Sequence, residues 1–223
     1  DDYLRAVAQA VHAVGGLFVL DCIASGALWV DMRALGVDVL VSAPQKGWSG
    51  PACCALVALG EAARERIDST QSTSFSCDLR RWLQIMETYE NGAHAYHATL
   101  PTDALLRVRD AMHETQRFGF DAARRAQLRL GEEVRAMLAR KGYPSVAAAG
   151  FEAPGVVVSY TDDEAIQSGR RLMEAGLQIA AGVPLAVDEP ADFRTFRIGL
   201  FGLDKLANVD RTVSTLAQAF ERL

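Results

Sequence analysis

The chain has 223 residues, enough for one large domain or two modest ones. Half of the residues are hydrophobic, 23% are charged and the net charge is −5, so the composition favours neither a nucleic-acid partner nor an anionic membrane. No apolar run approaches the ~20 residues of a membrane span, and we expect no signal peptide before the first helix. We therefore expect an ordinary globular protein of the cytoplasm.

Two short apolar runs near the start of the chain have the length and β-branched content of strands buried on both faces. These predicted strands cover 17–21 and 38–42, and the sixteen residues between Asp21 and Asp38 leave room for the crossover that a parallel pair requires. A helix is predicted over 2–14, before the first strand. A third strand, over 53–59, is expected to be antiparallel to its neighbour because the connection is short.

The remaining segments alternate helical and extended patterns. Helices are predicted over 61–67 and 78–90, from 103 onward, and over 121–141, 162–175 and 208–223. Strands are predicted over 155–160, 177–181 and 193–200. Beyond Pro144 this pattern indicates an α+β unit with a small antiparallel sheet. A domain boundary is expected within the long helices, near residue 118.

The cysteines and histidines lack the spacing of metal ligands. No C-x-x-C pair is present, and Cys53 and Cys54 are adjacent in an apolar run. We interpret Cys22, Cys53, Cys54 and Cys77 as small buried hydrophobic residues in a reducing compartment. No metal site is expected.

Asp21 and Lys46 are candidates for cofactor chemistry. Each follows a predicted parallel strand, and in open α/β sheets the chemistry lies just beyond the carboxyl ends of the strands. Pyridoxal phosphate needs a carboxylate that pairs with a pyridinium nitrogen and a lysine that forms a Schiff base. On spacing alone, the alternatives are an aspartate that caps a turn and a solvated loop lysine.

Three further residues carry weaker signals. Arg197 is a single cation in an otherwise apolar predicted strand, and arginine recognises carboxylates with its planar fork. The alternative is an arginine on an edge strand that faces water. The hydroxyls of Tyr96 and Thr99 could bind a phosphate, whereas the neighbouring His97 could be a satisfied core histidine.

Taken in order, four segments resemble the class V aminotransferases of pyridoxal-phosphate fold type I, and most closely the alanine–glyoxylate and serine–glyoxylate aminotransferase group. These segments are 18–26, 42–51, 96–101 and 196–210. The resemblance covers nearly the whole chain. It favours the chemical interpretation of Asp21, Lys46 and Arg197 over the structural alternatives.

The resemblance implies a set of cofactor contacts. Asp21 corresponds to the pyridinium aspartate and Lys46 to the Schiff-base lysine. Ile23 is expected to pack against one face of the cofactor ring, and Gln45 to hydrogen-bond near the phosphate or phenolic oxygen. Gln45 also favours an aminotransferase, since cysteine desulfurases of this class usually have histidine before the lysine.

The resemblance also implies a homodimer and a substrate contact. The side chains of Tyr96 and Thr99 are expected to reach the cofactor phosphate of the neighbouring subunit. Arg197 is expected to bind the substrate carboxylate.

The implied fold is α/β, the C-terminal part of a fold type I large domain followed by a small α+β domain. In this interpretation residues 1–118 belong to the large pyridoxal-phosphate-binding domain, whose N-terminal half is absent, and residues 119–223 form the small domain. The chain is therefore expected to be the later part of something longer.

The implied function is a pyridoxal-phosphate-dependent aminotransferase. It would move an amino group from a small amino acid of the alanine or serine type to a 2-oxo acid, glyoxylate or pyruvate. Two alternatives stay open. One is a truncated, non-catalytic fragment that acts only in dimer or partner assembly. The other is a lyase or desulfurase on the same fold, for which Cys77 is the candidate persulfide carrier.

Overall fold

The computed structural model describes all residues 1–223, and their contacts divide the chain between two units. The first unit comprises 1–22, 30–42 and 53–106, and the second comprises 23–29, 43–52 and 107–223. α5 (Thr102–Phe118) begins in the first unit and continues in the second. The domain boundary near residue 118 stays a prediction.

A three-stranded sheet in the order β1-β2-β3 organises the first unit. β1 (Val19–Asp21) and β2 (Val39–Ser42) are parallel, and β3 (Leu56–Leu59) is antiparallel to β2. Asp21 lies opposite Val41, so β1 and β2 end at the same edge of the sheet. The parallel pair and the antiparallel third strand predicted from the sequence are confirmed.

Four helices accompany this sheet. They are α1 (Asp2–Ala13), α2 (Met32–Leu35), α3 (Glu61–Asp68) and α4 (Leu79–Glu90). α2 is short because the Asp31 side chain accepts a hydrogen bond from Ala34 N (3.0 Å) at its start, and Gly36 adopts φ +71° at its end.

The hydrophobic core of the first unit lies on one face of its sheet. Ala8 of α1 packs there together with Phe18 and Leu35, and Leu20 of β1 packs against the same cluster. Successive strand residues point to opposite faces, and Val19 on the other face is 56% exposed. The prediction of burial on both faces is therefore wrong for β1, whereas all four residues of β2 are half-buried.

The second unit combines one long helix with a small sheet. Its helices are α6 (Phe120–Arg140), α7 (Glu164–Gln167), α8 (Arg170–Glu174), α9 (Leu203–Leu206) and α10 (Val209–Phe220), and its strands are β4 (Val156–Tyr160), β5 (Ala180–Ala181) and β6 (Thr195–Gly199). The sheet has the strand order β4-β6-β5 and is antiparallel, which confirms the predicted antiparallel pairing. Leu130 and Leu138 of α6, Phe196 of β6 and Phe220 of α10 are buried in its core.

The helix predicted over 162–175 is two helices, α7 and α8. Gly169 adopts φ +79° between them, a conformation that ends a helix. α7 begins where the Asp163 side chain accepts hydrogen bonds from Ala165 N (2.7 Å) and Ile166 N (3.3 Å). The hydrogen bond from Ala165 is the largest of the effects that hold the pKa of Asp163 below its ordinary value. The bond from Ile166 and the neighbouring Arg171 lower this pKa further.

The cysteines differ more in burial than the sequence predicted. All four are free thiols; Cys22 is buried, Cys53 and Cys54 are half-buried and Cys77 is exposed. The prediction of a buried hydrophobic role is wrong for Cys77, which lies in a polar loop between α3 and α4. Burial raises the pKa of the Cys54 thiol, and the adjacent Cys53 raises it further.

A carboxylate organises the loop between β5 and β6. The two oxygens of Glu189 accept hydrogen bonds from Ala186 N and Val187 N, each 2.7 Å long, while Ala186 and Asp188 adopt positive φ angles of 58° and 61°. These N–H groups, that of Ala186 first, lower the pKa of Glu189 from 4.5 to about 2. The contribution of this carboxylate to loop order is therefore complete above pH 4.5 and is lost as the pH falls toward 2.

We expect the amide proton shifts of Ala186 and Val187 to titrate with a midpoint of about 2 in an NMR pH series. The Glu189→Gln variant should abolish this titration, because the amide cannot ionise. The Glu164→Gln variant is the control and should leave both signals unchanged. A midpoint near 4.5, the ordinary value, would contradict the proposed role of Glu189.

Candidate active site

Lys46 lies on a tight turn that backbone hydrogen bonds hold at both ends. Gly50 N donates to Pro44 O (2.9 Å), and Ser49 N donates to Lys46 O (3.1 Å). Ser49 adopts φ +58°, which costs a non-glycine residue roughly 1–2 kcal/mol and must be offset by the surrounding contacts. The turn therefore has a defined backbone path from which the lysine side chain projects.

The turn also packs directly against another loop of the second unit. A Cβ atom at Gly47 would overlap the carbonyl oxygen of Gly26, so only glycine fits there. Beside Gly47, the ring of Trp48 packs on that of Trp29, with 5.0 Å between centroids, and both lie near Phe120. This packing fixes the backbone next to Lys46.

The side-chain amine of Lys46 differs in its surroundings from those of the other two lysines in the chain. Lysine occurs only at positions 46, 141 and 205. Lys141 is 3.8 Å from Glu221, and Lys205 is 3.4 Å from Asp204. Lys46 is half-buried, has no carboxylate partner, and holds its Nζ atom 5.6 Å from the ring centroid of Phe201. Its amine is therefore available for chemistry in a way that the other two are not.

Asp21 is the last residue of β1 in the first unit, and its side chain is exposed. The ladder continues past it, since Cys22 N donates to Val41 O (2.8 Å). Asp38 in contrast has a structural role, because its carboxylate accepts hydrogen bonds from Phe18 N and pairs with His12 Nε2. Of these two aspartates, Asp21 is the one at the carboxyl end of a strand, the edge where ligands bind in open α/β sheets.

The hydroxyls of Tyr96 and Thr99 lie together in the first unit. Their oxygens are 3.1 Å apart, and Tyr96 is 67% exposed. His97 between them packs inward instead: its Nε2 is 3.1 Å from Phe75 O, and its ring contacts Phe75 and Trp82. The interpretation of His97 as a satisfied histidine agrees with these contacts, and the two hydroxyls remain available to a ligand.

Arg197 lies in the middle of β6, the central strand of the second unit's sheet. The alternative of an edge-strand arginine facing water is therefore wrong. Its Nε donates to Ala181 O (2.9 Å) of the neighbouring β5, and no carboxylate lies within ion-pair distance of the guanidinium. This bond fixes the base of the side chain and leaves the other guanidinium nitrogens free to bind an acid.

The two remaining predicted cofactor residues have different exposure. Ile23 is half-buried and Gln45 is exposed. The structure assigns neither of them a cofactor contact, and their roles stay predictions.

Two features of the second unit were not found from the sequence pattern. Gln127 is 1% exposed and donates through Nε2 to Pro154 O (3.0 Å) and Leu200 O (3.3 Å). The signal for it is a single amide on the apolar stripe of α6. Phe201 near Lys46 gave no signal, because its position depends on contacts that are remote in sequence.

The fold is that of the pyridoxal-phosphate fold type I aminotransferases. An alanine–glyoxylate aminotransferase from Nostoc sp. matches with a TM-score of 0.82 at 20% sequence identity, over 98% of this chain and 56% of its own. A ureidoglycine–glyoxylate aminotransferase from Bacillus subtilis matches with a TM-score of 0.76 at 20% identity, over 98% of this chain and 55% of its own. The chain thus corresponds to roughly half of each of these proteins.

The family model described as aminotransferase class-V matches residues 2–211. The chain therefore belongs to the class-V aminotransferase family, which confirms the resemblance drawn from the four segments. A 2-aminoethylphosphonate–pyruvate transaminase from Burkholderia ambifaria is 28% identical over 99% of this chain and 58% of its own length. Alanine–glyoxylate aminotransferase 1 from Saccharomyces cerevisiae is 32% identical over 50% of this chain and 31% of its own length.

The chain spans about 58% of the length of the Burkholderia relative. None of its helices is long and apolar enough to cross a membrane.

Proposed function

We propose that this chain is part of a pyridoxal-phosphate-dependent aminotransferase in which Lys46 holds the cofactor. The observation that carries the proposal is the state of the Lys46 amine. It is half-buried on a fixed turn, and it is the one lysine amine without a carboxylate partner. An amine attacks an aldehyde only when it is unprotonated, and a neighbouring carboxylate would stabilise its protonated form. Membership of the class-V family supports the same assignment.

The donor groups of the chain fit the cofactor's chemistry. Pyridoxal phosphate presents an aldehyde, a ring nitrogen and a phosphate. Lys46 offers an amine to the aldehyde, and the exposed carboxylate of Asp21 offers a counter-charge to the ring nitrogen. The hydroxyl oxygens of Tyr96 and Thr99, which lie 3.1 Å apart, offer hydrogen bonds to the phosphate. When bound, the cofactor supplies an electron sink for a substrate carbanion.

The residues of this chain then have distinct tasks. Lys46 Nζ would take the proton from the substrate Cα as general base and deliver it, as general acid, to the cofactor carbon that carried the aldehyde. Arg197 binds the substrate carboxylate with the guanidinium nitrogens that are not bonded to Ala181. Asp21 keeps a proton on the ring nitrogen by stabilising its charged form. Ile23 would pack against one face of the ring, and Gln45 would hydrogen-bond near the phosphate or phenolic oxygen.

The proposed donor is a small amino acid of the alanine or serine type, and the proposed acceptor is glyoxylate or pyruvate. Similarity to an alanine–glyoxylate aminotransferase supports this choice. A second candidate donor is 2-aminoethylphosphonate, because the relative matched over 99% of the chain acts on it. Transamination rates measured with alanine, serine and 2-aminoethylphosphonate, each with glyoxylate and with pyruvate, distinguish a small amino acid donor from 2-aminoethylphosphonate.

We also propose a homodimer of the cytoplasm. In it, Tyr96 and Thr99 of one subunit would bind the cofactor phosphate of the other. Four free cysteines are consistent with a reducing compartment.

The test is to map the lysine that takes up the cofactor. The purified protein is incubated with one equivalent of pyridoxal phosphate, reduced with borohydride, digested and analysed by mass spectrometry. We expect the pyridoxyl group on Lys46, and its loss in the Lys46→Ala variant. Lys141 and Lys205 serve as internal controls. Modification spread over Lys141, Lys205 and the amino terminus would contradict the proposal and favour the non-catalytic fragment.

A further inference from the structure

The ring of Phe201 lies beside the amine of Lys46. The Nζ atom is 5.6 Å from the ring centroid, within the distance at which an ammonium group is attracted to the face of an aromatic ring. No carboxylate competes for this amine. The aromatic face is therefore the electrostatic partner of Lys46 in the second unit.

The position of Phe201 depends on Gly155, and Gly199 lies beside the same ring. A Cβ atom at Gly155 would approach the ring to 2.9 Å, and one at Gly199 would approach it to 3.5 Å. A side chain at Gly155 would have to displace the ring, because real Cβ atoms do not approach so closely. Leu200 N donates to Gly155 O (2.9 Å), which holds the two segments together beneath the ring.

Hydrogen bonds anchor both sides of Phe201, a buried one from Gln127 and an exposed one to Ser49. On one side, Leu200 is 1% exposed and its carbonyl oxygen accepts from the buried amide of Gln127. On the other side, Leu203 N donates to the hydroxyl of Ser49 (3.3 Å), which belongs to the lysine turn. The ring and the turn are thus joined by a hydrogen bond as well as by the contact with the amine.

We propose that Phe201 is a positioning residue for Lys46, whose ring face holds the amine in place and stabilises its charged form. This inference rests on the proposed function. When Lys46 takes the proton from the substrate Cα, its amine becomes an ammonium group. An aromatic face at this distance favours that charged form. Phe201 therefore contributes to the proton-transfer step without contacting the substrate.

The first test needs no cofactor. Reductive methylation with ¹³C-formaldehyde labels the three lysine amines and the amino terminus, and their methyl signals are compared by NMR. In the wild type, we expect the Lys46 signal to be shifted upfield from those of Lys141 and Lys205 by the ring current of Phe201. The Phe201→Leu variant should lose this shift, while Phe201→Tyr, which retains an aromatic face, should keep it.

The second test is kinetic. We expect Phe201→Leu to lower kcat of transamination about two- to fivefold, the loss that a partly exposed cation–π contact implies, with KM for the amino acid unchanged. Phe201→Tyr should restore kcat. Unchanged signals for Lys141 and Lys205 show that the second unit stays folded in both variants.

The outcomes separate this inference from the proposed function. A Lys46 signal that is not shifted in the wild type, or that keeps its shift in Phe201→Leu, overturns the role of Phe201. If the Lys46 signal is shifted but Lys46 takes up no pyridoxyl group, the proposed function is refuted. The kinetic role of Phe201 is then refuted as well, while the placement of the Lys46 amine beside the ring still holds.

Discussion

Replacing Lys46 by alanine is expected to lower the rate of transamination at least about 10²–10⁴-fold, the contribution of a positioned general acid–base group. The variant removes the amine that attacks the cofactor and also the group that moves the Cα proton. Neither of the other lysines can replace it, because Lys141 lies at the end of α6 and Lys205 lies in α9, and neither is on the turn that carries Lys46. Production of the keto acid from alanine and glyoxylate, with saturating pyridoxal phosphate, measures the loss.

Matched variants of the other lysines control for the removal of a positive charge. Lys141→Ala and Lys205→Ala should keep the rate within about twofold, since exposed ion pairs contribute little. A small added amine, such as methylamine, should restore part of the rate of Lys46→Ala by moving the proton in place of Nζ. Full activity of Lys46→Ala without added amine would refute the assignment.

Replacing Leu130 by alanine is expected to destabilise the protein by about 2–5 kcal/mol, the range for a buried leucine that leaves a cavity. Leu130 is 0% exposed and lies on the α6 stripe, in the core that α6 forms with β4, β6 and α10. Close-packed surroundings relax only partly around such a deletion. Urea unfolding followed by tryptophan fluorescence gives the difference in the free energy of unfolding.

Leu128→Ala is the matched control, because it makes the same change two residues away on the same helix. Leu128 is 45% exposed, so its truncation removes little buried area. We expect a change below about 1 kcal/mol. Equal effects of the two variants would show that the core does not lie on the Leu130 face of α6.

Much of the fold could be predicted from local pattern. The period of the apolar residues gave α6 and the antiparallel sheet of the second unit, and the length of the connections gave the directions of β2 and β3. The wrong predictions concern features that depend on tertiary contacts, namely where a helix is interrupted and which face of a sheet is buried. Gly169 with φ +79° divides a helix that periodicity alone continues, and Val19 belongs to a sheet face that the core cluster does not cover.

The residues of the candidate site also fall into those that local pattern predicts and those that only tertiary contacts determine. Asp21 could be placed because the end of a strand is a local feature, and Lys46 because it follows the next strand. The arginine of β6 could be found as a cation, but its position on a central strand depends on the pairing of β4 and β5. Phe201 could not be found, because the contacts that fix it join distant segments. Ser49 and Leu203, which tie the ring to the turn, are 154 residues apart in sequence.

The scarcity of lysine has a consequence for selectivity toward aldehydes. The chain has 20 arginines but 3 lysines. A guanidinium stays protonated at any physiological pH and is a poor nucleophile, whereas a free amine condenses with carbonyl compounds. A protein that handles a reactive aldehyde and a 2-oxo acid would thus present them with few competing surface amines. Stray carbonyl adducts would be rare on this chain, and the aldehyde would be directed to the single unpaired lysine.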